Sequence, residues 1–122
     1  MATNRSALGI TSSLDVIRDT DTDETAENDV NDGAATIYLI QIDNSANASA
    51  ASYLKLYNAA SPTVGTTAPD IVIMAPGGAT VKVAIGEGIS FGTALSMAAV
   101  TTAGTGGTTG PSSAVVTTVV AG

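Results

Sequence analysis

Ser52-Tyr53-Leu54-Lys55-Leu56-Tyr57 alternates along its length, with Tyr53, Lys55 and Tyr57 on one side and Leu54 and Leu56 on the other. Period two is the signature of a β-strand with one buried face, and the apolar side is the one carrying Leu54 and Leu56. Similar signals recur on both sides of it. Upstream, residues 35–42 (ATIYLIQI) are rich in β-branched and large apolar side chains. Downstream come residues 70–74 (DIVIM), 80–85 (TVKVAI) and 89–91 (ISF), then 94–100 and 114–120 (AVVTTVV). A helical turn over residues 94–99, which are small, is the one competing local reading.

The connectors carry turn chemistry. Asn31-Asp32-Gly33 and Pro76-Gly77-Gly78 supply residues that tolerate positive φ or preset a turn. Gly86-Glu87-Gly88 has the composition of a tight hairpin connection. Pro62 and Pro69 bracket a wide loop, and residues 104–111 (GTGGTTGP) form a flexible one. Seven or eight short strands at this spacing predict an all-β fold, an antiparallel β-sandwich of jelly-roll or Greek-key type. Its expected core includes Leu54, Leu56, Ile71, Ile73, Val81, Val83 and Phe91, the last plugging the space between the sheets.

Charge divides the chain in two. Eight of the eleven acids lie between Asp15 and Asp32, and beyond Gly33 only Asp43, Asp70 and Glu87 remain. Crowded carboxylates repel one another and bury little, so residues 1–32 are expected to be an extended acidic arm or long loop. One short strand is allowed over residues 13–17, where Leu14, Val16 and Ile17 stand. Residues 33–122 are expected to be the sandwich. Within the arm, Asp15, Asp19, Asp21, Asp23, Glu24, Glu27 and Asp29 are the candidate interface residues, able to pair with a basic protein surface.

The 122 residues amount to one domain, with one Phe, three Tyr and no Trp. Aromatic side chains bury the largest areas, so a core built mainly from Ala and Val is thin. Such a domain gains burial by self-association or by docking on a larger surface. Net charge −7 opposes binding to nucleic acid, which relies on Lys and Arg. The Gly and Pro residues that break up the uncharged stretch 88–122 exclude a membrane span there. No apolar leader follows a basic start over Met1 to Ile10, so cytoplasmic synthesis is expected.

With no His and no Cys, the chain cannot build a Ser-His-Asp or Cys-His site, a thiolate metal site or a His-based zinc centre. No Lys stands in a glycine-rich phosphate loop. Neither a catalytic residue nor a cofactor site is assigned, and no enzyme is expected. Asp19-x-Asp21-x-Asp23 is a weak candidate for Ca²⁺. It lacks the turn Gly (Glu24 stands there) and the bidentate Glu (Val30 stands there) of an EF-hand loop. A solvated acidic loop is the preferred reading. Asn4-Arg5-Ser6 and Asn47-Ala48-Ser49 match the glycosylation pattern without any secretory context.

The middle of the chain resembles a known module. Tyr53-Leu54-Lys55-Leu56-Tyr57-Asn58 is followed by Ser61-Pro62-Thr63-Val64-Gly65-Thr66, Pro69 and Ile71-Val72-Ile73. Pro76-Gly77-Gly78, Thr80-Val81 and Gly88-Ile89-Ser90-Phe91-Gly92-Thr93-Ala94-Leu95 complete the pattern. Over residues 35–100 this resembles a small β-sandwich module of tailed-bacteriophage structural proteins. The resemblance implies a virion protein, made in the host cytoplasm. It implies either a capsid decoration (cement) protein on the capsid surface or a fibre module. A decoration protein would bind the major capsid protein across subunit boundaries, with a homotrimer the favoured state. A tail or fibre module would bind a host-surface glycan through exposed rings, for which only Tyr38, Tyr53 and Tyr57 are available. The acidic segment is not part of the resemblance.

Overall fold

A computed structural model describes residues 3–7 and 13–122. Among them are eight strands and no helix: β1 (Thr3–Ala7), β2 (Asp15–Thr22), β3 (Ala35–Asp43), β4 (Ser52–Tyr57), β5 (Ile71–Ala75), β6 (Thr80–Phe91), β7 (Ser96–Val100) and β8 (Val115–Ala121). They form two antiparallel sheets, one ordered β1-β2-β8-β3-β6 and the other β5-β4-β7. One hydrophobic cluster joins the sheets. Ile17, Ile37, Ile40, Ile42, Val115 and Val119 enter it from the larger sheet, and Leu54, Leu56, Ile73, Met97 and Ala99 from the smaller.

The expected core holds for Leu54, Leu56, Ile73 and Phe91, all buried, while Ile71 and Val81 are partly buried against the cluster. Val83 is a correction, at 36% exposed. It lies opposite the buried Ile40 and so faces inward. At five residues, however, β5 is too short to cover the twelve residues of β6.

Two strand assignments also change. Residues 80–85 and 89–91 belong to one strand, β6, and Gly86-Glu87-Gly88 is no hairpin. The register against β3 shifts between Ile37 and Leu39, which face Ile89 and Ala84, so this triplet is taken up as a bulge. Gly88 makes the bulge possible, because its φ is 77°. A Cβ there would also meet Thr36 Cγ2 at 2.5 Å and the Tyr38 ring at 2.9 Å. The second change is at residues 94–99, where no helical turn forms. Ser96–Val100 is β7, buried along its whole length.

The largest difference concerns the acidic segment. Asp15–Thr22 is β2, flanked by β1 on one side and β8 on the other. Residues 23–30 then run beside β7. Glu27 and Met97 exchange backbone hydrogen bonds of 2.8 and 3.0 Å, Ala99 N–H donates to Asp23 C=O, and Val30 N–H donates to Leu95 C=O. The segment is held because Val16 and Ile17 find partners in Val119 and Val120, and the inward Ile17 is fully buried. Mutual repulsion of the carboxylates is outweighed by this sheet pairing. Residues 1, 2 and 8–12 of the expected arm lie outside the described residues.

The outer face of the smaller sheet is covered as well. Lys55 and Tyr57 are buried despite lying opposite Leu54 and Leu56 in the alternation. Lys55 lies under the segment 101–113, a strap whose Gly104 C=O accepts from Lys55 Nζ at 2.6 Å. Burial holds the Lys55 ammonium below its usual pKa and the Tyr57 hydroxyl above its own.

Candidate functional site: an acidic flank and an apolar flank

The strand order sorts the chain's chemistry onto two opposite flanks. β1, β2 and residues 23–30 lie at one side of the two sheets, next to β8 and β7. β5 and β6 are the last strands at the other side, joined by the turn through Pro76, Gly77, Gly78 and Ala79.

On the acidic flank the seven candidate interface residues do different work. Asp21 and Glu24 are exposed. Asp15 is half-buried and lies 3.3 Å from Arg5 Nε, a surface pair of small energetic weight. Asp23 accepts the Thr25 N–H at 2.8 Å, and Asp29 accepts the Gly33 N–H at 2.7 Å, so both act on local turns. Asp29 and Asp32 adopt positive φ of 48° and 60°.

Asp19 must be removed from the accessible set, because it is fully buried. Its carboxylate accepts the Asp21 N–H at 2.9 Å and the Thr22 hydroxyl at 2.9 Å, which stabilises the register shift between Asp19 and Thr22. Glu27 is also turned inward: its Oε1 is buried without a hydrogen-bond partner. Burial pushes its carboxyl above the usual glutamate range, and the charges of Asp19 and Asp23 add to the rise.

The same register shift dismantles the Ca²⁺ candidate. Regular alternation would put Asp19, Asp21 and Asp23 on one face, but Asp19 and Thr22 point inward while Asp21 is exposed. Among the described residues no group of three or more His, Cys, Asp or Glu is placed to hold a metal ion.

The apolar flank was not anticipated. Among the described residues the exposed large hydrophobics are Val72 (40%), Met74 (47%), Val83 (36%) and Ile89 (39%), and all four stand on β5 and β6. Val72 and Met74 oppose Lys55 and Tyr53 on the outer face of the smaller sheet. Val83 and Ile89 lie opposite the buried Ile40 and Ile37, where β6 overhangs. The signal for β5 was present in the sequence: in DIVIM both phases of the alternation are apolar, so one phase must be either covered or left exposed. The only charged residues of these two strands are Lys82 and Glu87.

A third feature is structural. Asn44, fully buried, donates through Nδ2 to the C=O groups of Ala50, Ala75 and Pro76. Its Oδ1 accepts from Asn47 Nδ2 and Ser52 Oγ. Asn47 also bonds both ways with the Ser113 backbone, which ties the strap to the turns and occupies the amide that a glycan would need.

No concave pocket is present among the described residues, and no helix among them is long and apolar enough to cross a membrane. Comparison of the chain with protein-family models, with curated proteins and with solved structures finds no match.

Proposed function

We propose that this chain is a non-catalytic structural protein of a virion, a capsid decoration (cement) protein that binds across major capsid protein subunits through its acidic flank. The observation that carries the reading is the sorting of charge. Eight carboxylates fall within β2 and the segment that follows it, and exposed Asp21 and Glu24 are presented from sheet-anchored backbone. A fixed row of like charge suits a basic protein surface and disfavours nucleic acid. The resemblance over residues 35–100 supports the virion setting, with the molecule on the capsid surface after synthesis in the host cytoplasm.

A jelly-roll fold goes with this proposal. The order β2-β8-β3-β6 in one sheet, and residues 23–30, β7, β4, β5 in the other, supports it. These are the nested antiparallel pairs of a rolled-up eight-stranded ribbon, with β1 added at an edge. Under this reading the acidic segment supplies the first two strands of the roll.

Deleting residues 1–32 would remove β2 from inside its sheet, so point substitutions make the cleaner test. Asp21→Lys combined with Glu24→Lys should weaken binding of the purified protein to expanded capsids while leaving its melting temperature within a few degrees. Wild-type binding should also fall as salt rises. Undiminished capsid binding by the doubly reversed protein rejects the acidic-flank mechanism. The alternative of a tail module that stacks on glycans is less favoured, because Tyr57 is buried and Tyr38 and Tyr53 are half-buried.

A further inference from the structure

We infer that Thr3, Asp19, Glu27 and Thr117 form a buried, all-oxygen site for one divalent cation of the calcium class, set between the two sheets behind the acidic flank. This goes beyond the capsid reading and does not depend on it. Four buried side-chain atoms lack a hydrogen-bond partner among the described residues: Thr3 Oγ1, Glu27 Oε1, Tyr57 Oη and Thr117 Oγ1. Buried polar atoms are nearly always paired, so each such atom calls for a cause. Three of these four gather around one residue, Asp19. Thr3 of β1 and Thr117 of β8 are its Cα partners on either side, and residues directly opposite in antiparallel strands project to the same face. Asp19 and Thr117 are fully buried, so that face is the inner one. Glu27 arrives from the other layer. It bridges to Met97, a member of the core cluster, and its carboxyl is acted on by the charge of Asp19 and the hydroxyl of Thr3.

The chemistry of the cluster selects a cation. Its polar side-chain atoms are all oxygens, and a divalent ion balances its two carboxylates. Hydroxyl donors and carboxylate acceptors stand side by side here, yet Thr3, Thr117 and Glu27 Oε1 close no hydrogen bond. Oxygens held ~2.4 Å from one ion and at right angles to each other lie roughly 3.4 Å apart, too far for a good O–H···O bond. One shared ion therefore accounts both for the gathering of these atoms and for their failure to pair. Asp19 has lone pairs to spare after accepting the Asp21 N–H and the Thr22 hydroxyl. Ile17, Ile42 and Met97, all fully buried, neighbour the cluster along its strands, and an apolar surround strengthens the attraction between carboxylate and ion.

Ca²⁺ accepts an irregular oxygen shell, whereas Mg²⁺ demands a near-ideal octahedron and keeps several of its waters. Donors fixed on separate strands suit the first ion. The site shares only Asp19 with the acidic triplet read from the sequence, since Asp21 is exposed and Asp23 serves a turn. Bound there, the ion ties β1, β2 and β8 of the larger sheet to the segment beside β7 of the smaller, and it neutralises two carboxylates that otherwise repel each other.

Thermal melting of the isolated full chain, in EDTA and in millimolar CaCl₂ at matched ionic strength, tests the inference. Ca²⁺ should raise the parent's melting temperature by about 5 °C or more, and Mg²⁺ by less. Thr117→Val removes one uncharged ligand oxygen. It should melt at or above the parent in EDTA, because an unpartnered buried hydroxyl is lost, and its response to Ca²⁺ should largely disappear. Glu27→Gln should equal or exceed the parent in EDTA but fall below it in Ca²⁺, a reversal that damage to the fold does not produce. Asp21→Asn combined with Glu24→Gln, which thins the exposed charge alone, should keep the full response. A parent indifferent to Ca²⁺ overturns the inference. So does a response that Thr117→Val and Glu27→Gln both retain, or one that vanishes with the exposed pair. Capsid binding stands or falls separately, because no capsid enters these measurements.

Discussion

Replacing Asn44 by Ala should be among the most damaging single changes in this domain, although the side chain sits at the mouth of a turn. The carboxamide makes five hydrogen bonds of 2.7 to 3.1 Å and is fully buried. The three carbonyls share two N–H donors, so about four good bonds are lost, each contributing about 1 kcal/mol net. The Ser52 hydroxyl and the carbonyls of Ala50, Ala75 and Pro76 lose this partner, which leaves about 4 kcal/mol as the working figure. For a chain of this length 1 kcal/mol moves the melting temperature by roughly 4 °C, so a fall of about 15 °C is expected. Thermal melting followed by far-ultraviolet circular dichroism, with urea titration alongside, gives the number. Ser52→Ala removes one of the five bonds and should cost only about 1 kcal/mol. The two changes together should cost less than their sum, because they share that bond. An Asn44→Ala protein that melts within about 4 °C of the parent would show that water replaces the carboxamide and that the hub is not cohesive.

Other substitutions probe the rest of the fold. Phe91→Ala empties the largest aromatic position of the cluster and should cost about 3–5 kcal/mol by chemical denaturation, whereas unchanged stability would place that ring outside the core. Gly88→Ala should lower the melting temperature by several degrees, since it forces a side chain to φ 77° and into Thr36 and Tyr38. Gly86→Ala, with open space around the new Cβ, should melt close to the parent, and equal losses at the two glycines would contradict the bulge geometry. Glu27→Gln tests the inward carboxylate. The folded state holds the Glu27 proton more tightly than the unfolded chain, so its contribution is complete below the ordinary glutamate pKa and is lost as pH rises through the elevated one. The Gln protein should therefore be the more stable at neutral pH, with the gap closing in acid; a constant gap from pH 3 to 8 would dismiss the electrostatic account.

The sequence exposed the strands more readily than their neighbours. Alternation placed Leu54 and Leu56 in the core, and the β-branched run of β3 and β8 was plain, because period two survives wherever one face is wet. Lys55 and Tyr57 broke that logic by being buried in the polar phase; Lys55 meets the strap 101–113, whose Gly and Thr residues carry no periodic signal of what they overlie. The bulge at residues 86–88 looked like a hairpin because both need glycine at positive φ; the register with β3, a non-local property, distinguishes them. The acidic segment was legible as a charge cluster but not as β2, since its pairing partner is some hundred positions away in sequence. The polar hub at Asn44 left no trace, as one Asn in a turn is unremarkable until three carbonyls converge on it. The apolar flank was half visible: Val72 and Met74 stood in the wrong phase to be core, while Val83 was mistaken for core because nothing local reveals how short a covering strand will be.

The lodging of β2 against β8 has a consequence for how the molecule is made. Asp15 pairs with Ala121, so the larger sheet cannot close until the hundred or so residues between them have left the ribosome. Pairings of such long range are formed late and slowly. Through that wait the early segment is unpaired on its β8 side, and its dense carboxylates make it a poor template for aggregation. The acids that the finished domain displays on one flank thus serve first as a solubility tag for a strand awaiting its mate.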